Sequence, residues 1–128
     1  MSEPIWIEND LAFAIHDRQL AEHGGAEGLR DESLLYSALA RPLNHFLYTG
    51  ADIIDLAAKY AAGIVQNHPF VDGNKRTGFV VAVLFLELNG YRFTASEEDA
   101  AQAVLELAAG TIDEDSFCDF LRANVERV

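Results

Sequence analysis

Apolar residues fall along this chain in short stripes of helical spacing, separated by polar or glycine-bearing breaks. Trp6, Ile7, Leu11, Ala14, Ile15 and Leu20 form the first stripe, which stops at Gly24-Gly25. This predicts a helix from about Glu8 to His23 with a glycine C-cap. A Gly-rich turn, Gly24 to Gly28, follows. Asp31 reads as the N-cap of a second helix with Leu34, Leu35, Ala38 and Leu39 on one stripe. That helix is expected to stop before Pro42, because the residue preceding a proline is pushed out of the α region. Leu43 to Gly50 has no clear period. Asn44, His45, Tyr48, Thr49 and Gly50 make it read as an exposed loop or small flap.

Asp52 and Asp55 open a third helix at N-cap and N3. Ile53, Leu56, Ala57, Tyr60, Ala61, Ile64 and Val65 give it a face wide enough to be largely buried, ending near Asn67. Periodicity alone does not separate strand from helix in the apolar run Phe79 to Leu86. Length decides for helix: from Lys75 to Asn89 only Gly78 interrupts about four turns, and Asn89-Gly90 supplies the stop. Tyr91 to Thr94 reads as a short extended piece. Ser96 with Asp99 opens a helix running to Gly110. Thr111 with Glu114 forms a capping box for a last helix with Phe117, Phe120, Leu121 and Val125 on one side. No segment alternates strictly over a strand length, so the expected fold class is all-α.

Composition bounds the function. At 128 residues the chain is expected to form one domain, residues 1–128. Its longest apolar run is far short of the ~20 residues of a membrane span. Met1-Ser2-Glu3-Pro4 lacks the basic start of a secretory signal. The single cysteine, Cys118, has no partner for an internal disulfide, which fits a reducing cytoplasm. Its expected place is as a small core residue. A formal net charge of −12 and a pI near 4.5 argue against nucleic-acid binding.

Against this acidic background one stretch breaks a local rule. His68-Pro69-Phe70-Val71-Asp72-Gly73-Asn74-Lys75-Arg76-Thr77-Gly78 leads into the fourth predicted helix, and its Lys75 and Arg76 are the only adjacent basic pair among nine Lys and Arg. A helix N-terminus carries roughly +0.5 charge, so cations are disfavoured there. An anion such as a phosphate, cradled by the helix N–H groups and both cations, resolves the conflict. The neighbours suit that chemistry. A neutral His68 is a candidate general base, a histidine having a reference pKa near 6.5. Asp72 is a hard oxygen ligand suited to Mg²⁺ bound together with phosphates. Gly73 lets the backbone approach a ligand, and Asn74 can cap the helix or donate to a phosphate oxygen. These are the parts of phosphoryl or nucleotidyl transfer. The stretch is neither a P-loop nor a zinc site, since no further Cys or His stands near His68 and Asp72. On these residues alone, an anion site and an ordinary solvated helix start stay equally open.

The same eleven residues resemble the signature of the Fic/Doc family, His-Pro-Phe-x-Asp/Glu-Gly-Asn-x-Arg. Gly28-Leu29-Arg30-Asp31, Leu34 to Pro42 and Leu86 to Tyr91 resemble its death-on-curing (Doc) branch, so the likeness spans nearly the whole chain. It implies a compact domain of about six helices with the motif loop between two central ones. It also implies that His68 deprotonates a target hydroxyl, that Phe70 anchors the loop in the core and that Asp72 binds Mg²⁺. Gly73 and Asn74 would form the anion hole, and Lys75 and Arg76 would meet ATP phosphates. His16, His23 and His45 are expected to matter far less.

Members that transfer AMP mostly have Gly in place of Lys75 and a second Arg in place of Phe79. Lys at the former position is the Doc pattern, which implies a kinase that phosphorylates a threonine of elongation factor Tu and stops translation. The inhibitory helix of many relatives is not found: Thr94 to Glu98 is the nearest match, but Asp99 follows it and it lies beyond the motif. Inhibition is therefore expected in trans, from a Phd-like antitoxin. An AMP-transferring enzyme and a non-catalytic binding module are the alternatives. Apolar side chains in the predicted flap, with His45, Phe46 and Tyr48, are expected either to dock the target or to fold onto the core, the two readings staying equally open.

Overall fold

The computed structural model describes residues 3–128. In chain order its elements are α1 (Asn9–His23), α2 (Glu32–Thr49), α3 (Ile53–Asn67), α4 (Asn74–Leu88), β1 (Tyr91–Phe93), α5 (Glu97–Ala109), α6 (Glu114–Ala123) and β2 (Val125–Arg127). The fold is all-α apart from a two-stranded antiparallel ribbon that pairs Tyr91 with Arg127 and Phe93 with Val125.

Helix α3 is the axis of the core. Leu56, Ala57, Ala61, Ala62 and Ile64 on it are fully buried, and α2, α4 and α6 pack around it. Small residues set how closely they approach. A Cβ added at Gly63 would lie 3.2 Å from the Ala38 Cβ and 3.3 Å from its Cα, so α2 and α3 touch backbone to backbone there. A Cβ at Gly78 would lie 3.0 Å from the Val65 side chain, which fixes the start of α4 against the end of α3. At the edge of α3, Glu114 from α6 takes both Lys59 (2.6 Å) and Arg41 of α2 (2.6 Å). Nearby, Cys118 is buried as expected and donates its Sγ–H to Asp55 at 3.1 Å. Burial, followed by the Asp55 carboxylate, pushes the thiol pKa up to about 12.

Two boundaries differ from the expectation. Helix α2 does not end before Pro42 but runs through it to Thr49, so Leu43 to Gly50 is not a loop. An interior proline costs roughly 3 kcal/mol, and packing offsets it here. Leu35, Ala38, Leu39 and Pro42 are buried, and Phe46 continues the same stripe edge-on to Trp6, with ring centroids 5.7 Å apart. The stripe passes through the proline at helical spacing, and a Gly50 left-handed C-cap ends it. The last helix is capped by Asp113, whose side chain accepts from the Ser116 N–H at 2.8 Å. Thr111 is not the cap: its N–H donates to Glu106 C=O at 2.9 Å and closes the turn after α5. Val125 leaves the helix for β2.

Asn67 Nδ2 donates to Leu34 C=O at 3.0 Å, so the end of α3 lies beside the start of α2. The two helices are therefore antiparallel, and the α3–α4 loop sits at the α2 N-terminal end of the bundle. Gly63→Ala tests the close packing at its centre. Better helix propensity favours the alanine by about 1 kcal/mol, whereas overpacking against backbone costs roughly 1–3 kcal/mol. The expected outcome is a lower urea midpoint, with a raised midpoint refuting the contact.

Candidate active site

The site is built on the loop between α3 and α4. Helix α3 ends with His68 in the left-handed region (φ 55°), the one non-glycine residue with positive φ among those described. Such a conformation persists where the surroundings over-determine it, and here they do. The Arg30 guanidinium donates to His68 C=O at 2.6 Å and to Asn67 C=O at 2.7 Å. It places a cation on the negative end of α3. The main chain before α2 runs alongside the loop: Arg30 and Asp31 N–H donate to Pro69 C=O at 2.7 and 3.0 Å, and Val71 N–H donates to Gly28 C=O at 3.0 Å.

Phe70 is buried as the expected anchor. Its ring lies flat on the imidazole of His16 from α1, with centroids 3.7 Å apart and planes 6° from parallel. His16 Nε2–H donates to Asp72 C=O at 2.8 Å. The buried Asn74 closes the loop from the other side. Its Oδ1 accepts from Phe70 N–H at 3.0 Å, and its Nδ2 donates to Phe70 C=O at 2.9 Å and to His68 Nδ1 at 3.0 Å.

Gly73, in the left-handed region at φ 80°, precedes α4 and supplies no side-chain cap, so the first amides of α4 stay open. The Asp72 carboxylate accepts from Gly73 N–H at 2.8 Å and from Ala26 N–H at 3.2 Å. These two donations, the Gly73 one first, hold its pKa below the usual carboxylate value, with smaller help from Arg76 and Lys75. Asp72 is therefore an anion at neutral pH, aimed by backbone groups. A Cβ at Gly25 would stand 2.7 Å from its Oδ2, so the glycines after α1 leave room for it.

Lys75 and Arg76 are exposed and have no ion-pair or hydrogen-bond partner among the described residues. The other seven basic residues are engaged. Arg18, Arg41, Lys59, Arg92 and Arg122 pair with carboxylates, Arg30 binds the two carbonyls, and Arg127 lies 5.6 Å over the Tyr91 ring. Lys75 and Arg76 are thus the free cations of an acidic molecule. A cleft of about 360 Å³ lined by His68, Asp72, Gly73, Asn74, Lys75 and Arg76 brings together six of the expected site residues.

The expected target-docking residues are not among them. Tyr48 lies 16 residues beyond Glu32, about 24 Å along α2 at about 1.5 Å per residue. His45, Phe46 and Tyr48 therefore occupy the opposite end of the bundle on a helix, with Phe46 half-buried against Trp6 and Tyr48 91% exposed. Conversely, His16, expected to matter less, and Arg30, given no role of its own, hold the loop. The one signal for His16 was a histidine on the apolar stripe of α1. Arg30 lay in the Gly28 to Asp31 stretch that resembles the Doc branch, but nothing in that stretch gave it a partner. His16→Ala removes a stack worth about 0.5–1.5 kcal/mol and a hydrogen bond worth about as much. We expect roughly 1–3 kcal/mol loss of stability by urea unfolding, against little change for His23→Ala.

The sequence profile of the Fic/DOC family matches residues 6–86, which contain α1, the whole loop and most of α4. The chain is similar to a protein kinase doc of Escherichia phage P1, with 32% identity over 117 residues, 91% of this chain and 92% of that protein. It is also similar to a toxin Doc of Mycolicibacterium smegmatis, with 37% identity over 99 residues, 73% of this chain and 75% of that one. With the family signature folded into a single cleft and the match running over well more than half its length, this chain belongs to the Fic/DOC family.

Proposed function

We propose that the chain is a Doc-like toxin kinase, which transfers the γ-phosphate of ATP to a threonine hydroxyl of a translation factor such as elongation factor Tu. The observation that carries this reading is the free pair Lys75 and Arg76 at the open N-terminus of α4, beside His68 and Asp72. Two full cations and the helix dipole together favour the more highly charged end of a nucleotide triphosphate. The name of the phage P1 relative, protein kinase doc, supports the same chemistry.

His68 takes the hydroxyl proton. The freed oxygen bonds to the γ-phosphorus, the bond from that phosphorus to the β-bridging oxygen breaks, and ADP leaves. The N–H groups of the first α4 turn, with Lys75 and Arg76, bind phosphate oxygens and balance the charge. No group of three or more potential metal ligands exists among the described residues. One ionised carboxylate, Asp72, fits Mg²⁺ held jointly with substrate phosphates rather than in a protein cage. When bound, the ion neutralises phosphate charge. A toxin of this kind acts in the cytoplasm and is held in check by an antitoxin in trans, of the Phd type. Among the described residues no helix is long and apolar enough to cross a membrane.

Labelled ATP separates this reading from AMP transfer: γ-label on the target supports the kinase, and α-label supports the adenylyltransferase. His68→Ala is expected to abolish labelling while the fold survives, and a variant still fully active sinks the assignment of the base. Lys75→Ala is expected to keep its Tm, because a cation at a helix start contributes at most about 1 kcal/mol and of unfavourable sign. It should bind ATP more weakly and lose phosphoryl transfer. Transfer at the unmutated rate would leave Lys75 an ordinary solvated residue. Asp72→Asn is expected to weaken Mg²⁺-dependent nucleotide binding by calorimetry, and ATP affinity indifferent to Mg²⁺ in the unmutated protein rules out that role.

A further inference from the structure

Asn74 decides which nitrogen His68 presents to the cleft. The amide of Asn74 cannot be turned over. Its Oδ1 receives the Phe70 N–H at 3.0 Å and its Nδ2 donates to the Phe70 C=O at 2.9 Å. The flipped amide would set donor against donor and acceptor against acceptor. The second Nδ2 hydrogen therefore goes to His68 Nδ1, 3.0 Å away, and Nδ1 is the acceptor. A neutral imidazole has one N–H and one lone pair. With the lone pair on Nδ1 taken, the proton of neutral His68 lies on Nε2, the nitrogen left for the cleft.

A general base needs a lone pair facing the hydroxyl, and this arrangement offers an N–H instead. Asn74 is 3% exposed and has both side-chain hydrogens engaged, so its side chain is not free to bind phosphate as expected of an anion hole. The backbone N–H of Asn74, in the open first turn of α4, can do so. His68, by contrast, is exposed, and the bond to Asn74 is its only side-chain hydrogen bond among the described residues. One net hydrogen bond biases an equilibrium by roughly two- to twelvefold. A single competing contact is enough to free the ring.

We propose that Asn74 is a positioning residue that parks His68 in the non-basic Nε2–H tautomer while the cleft is empty, and that a bound nucleotide phosphate breaks this bond and exposes a basic Nε2. The inference rests on His68 being the base of the proposed transfer, whether of phosphate or of AMP. It ties proton abstraction to prior filling of the phosphate site, through a side chain that touches neither the hydroxyl nor the nucleotide.

Two-bond ¹H–¹⁵N correlation spectra of protein labelled at histidine nitrogens distinguish the two tautomers directly. The measurement is made at about pH 8.5, above the ordinary imidazole range, on the unmutated chain. Without ligand, His68 is expected to give the Nε2–H pattern. On saturation with Mg²⁺ and the β,γ-imido analogue of ATP, the tautomer ratio should move toward Nδ1–H by roughly two- to twelvefold. An Nδ1–H pattern in the free protein, or an unchanged Nε2–H pattern in the saturated complex, overturns the proposal. An analogue that leaves the Lys75 and Arg76 amide signals unmoved overturns the nucleotide reading and the release step. The ligand-free spectrum then still decides whether Asn74 holds the tautomer. Asn74→Ala, where it folds, should abolish the bias without ligand.

Discussion

The groups of the cleft hang on the main chain around Phe70. Its N–H and C=O are both taken by the Asn74 side chain, its ring is clamped between helices by His16, and the flanking Pro69 and Val71 are tied to the segment before α2. The Asn74 bonds span four residues, and the others are local in space but distant in sequence, joining α1 and the start of α2 to the loop before α4. Without them His68 would have little reason to keep a left-handed backbone, and Asp72 would lose the carbonyl contact that holds its residue in place. The precision of the site comes from packing and from hydrogen bonds to main-chain groups, and Lys75 and Arg76 are left free for a ligand.

That division matters in a protein of net charge −12. Elsewhere the basic residues are occupied, several of them joining helices to one another, as Arg41 and Lys59 do through Glu114. Mutual engagement removes competing anion sites from the surface. The open first turn of α4 then stands as a local positive feature in a negative field. Such a field discourages polyanions at long range, while a small anion that reaches the cleft meets two cations and unsatisfied amides within a few ångströms.

How legible this was in the sequence depended on whether the deciding forces were local. Caps such as Asp31, Asp52 and Ser96 act over three residues, and each was readable and is present. The cluster from His68 to Arg76 was readable because the motif is contiguous. Pro42 misled because a local penalty was outweighed by burial of the α2 stripe against α3 and Trp6, which no window of neighbouring residues reveals. Thr111 misled because two capping patterns overlapped, and the turn after α5 claimed its N–H. His16 and Arg30 act across 56 and 38 residues of sequence, on partners that are main-chain carbonyls. A carbonyl has no residue identity, so nothing in the letters announces that it is a partner.

Cys118 has a practical consequence. Burial and the Asp55 carboxylate push its pKa up to about 12, so at neutral pH it is a thiol and a poor nucleophile. The side chain is largely buried where α6 meets α3, which also limits the access of an alkylating reagent. This lone sulfur is therefore a slow target for alkylation while α6 stays packed on the core, and loosening of that packing raises its reactivity.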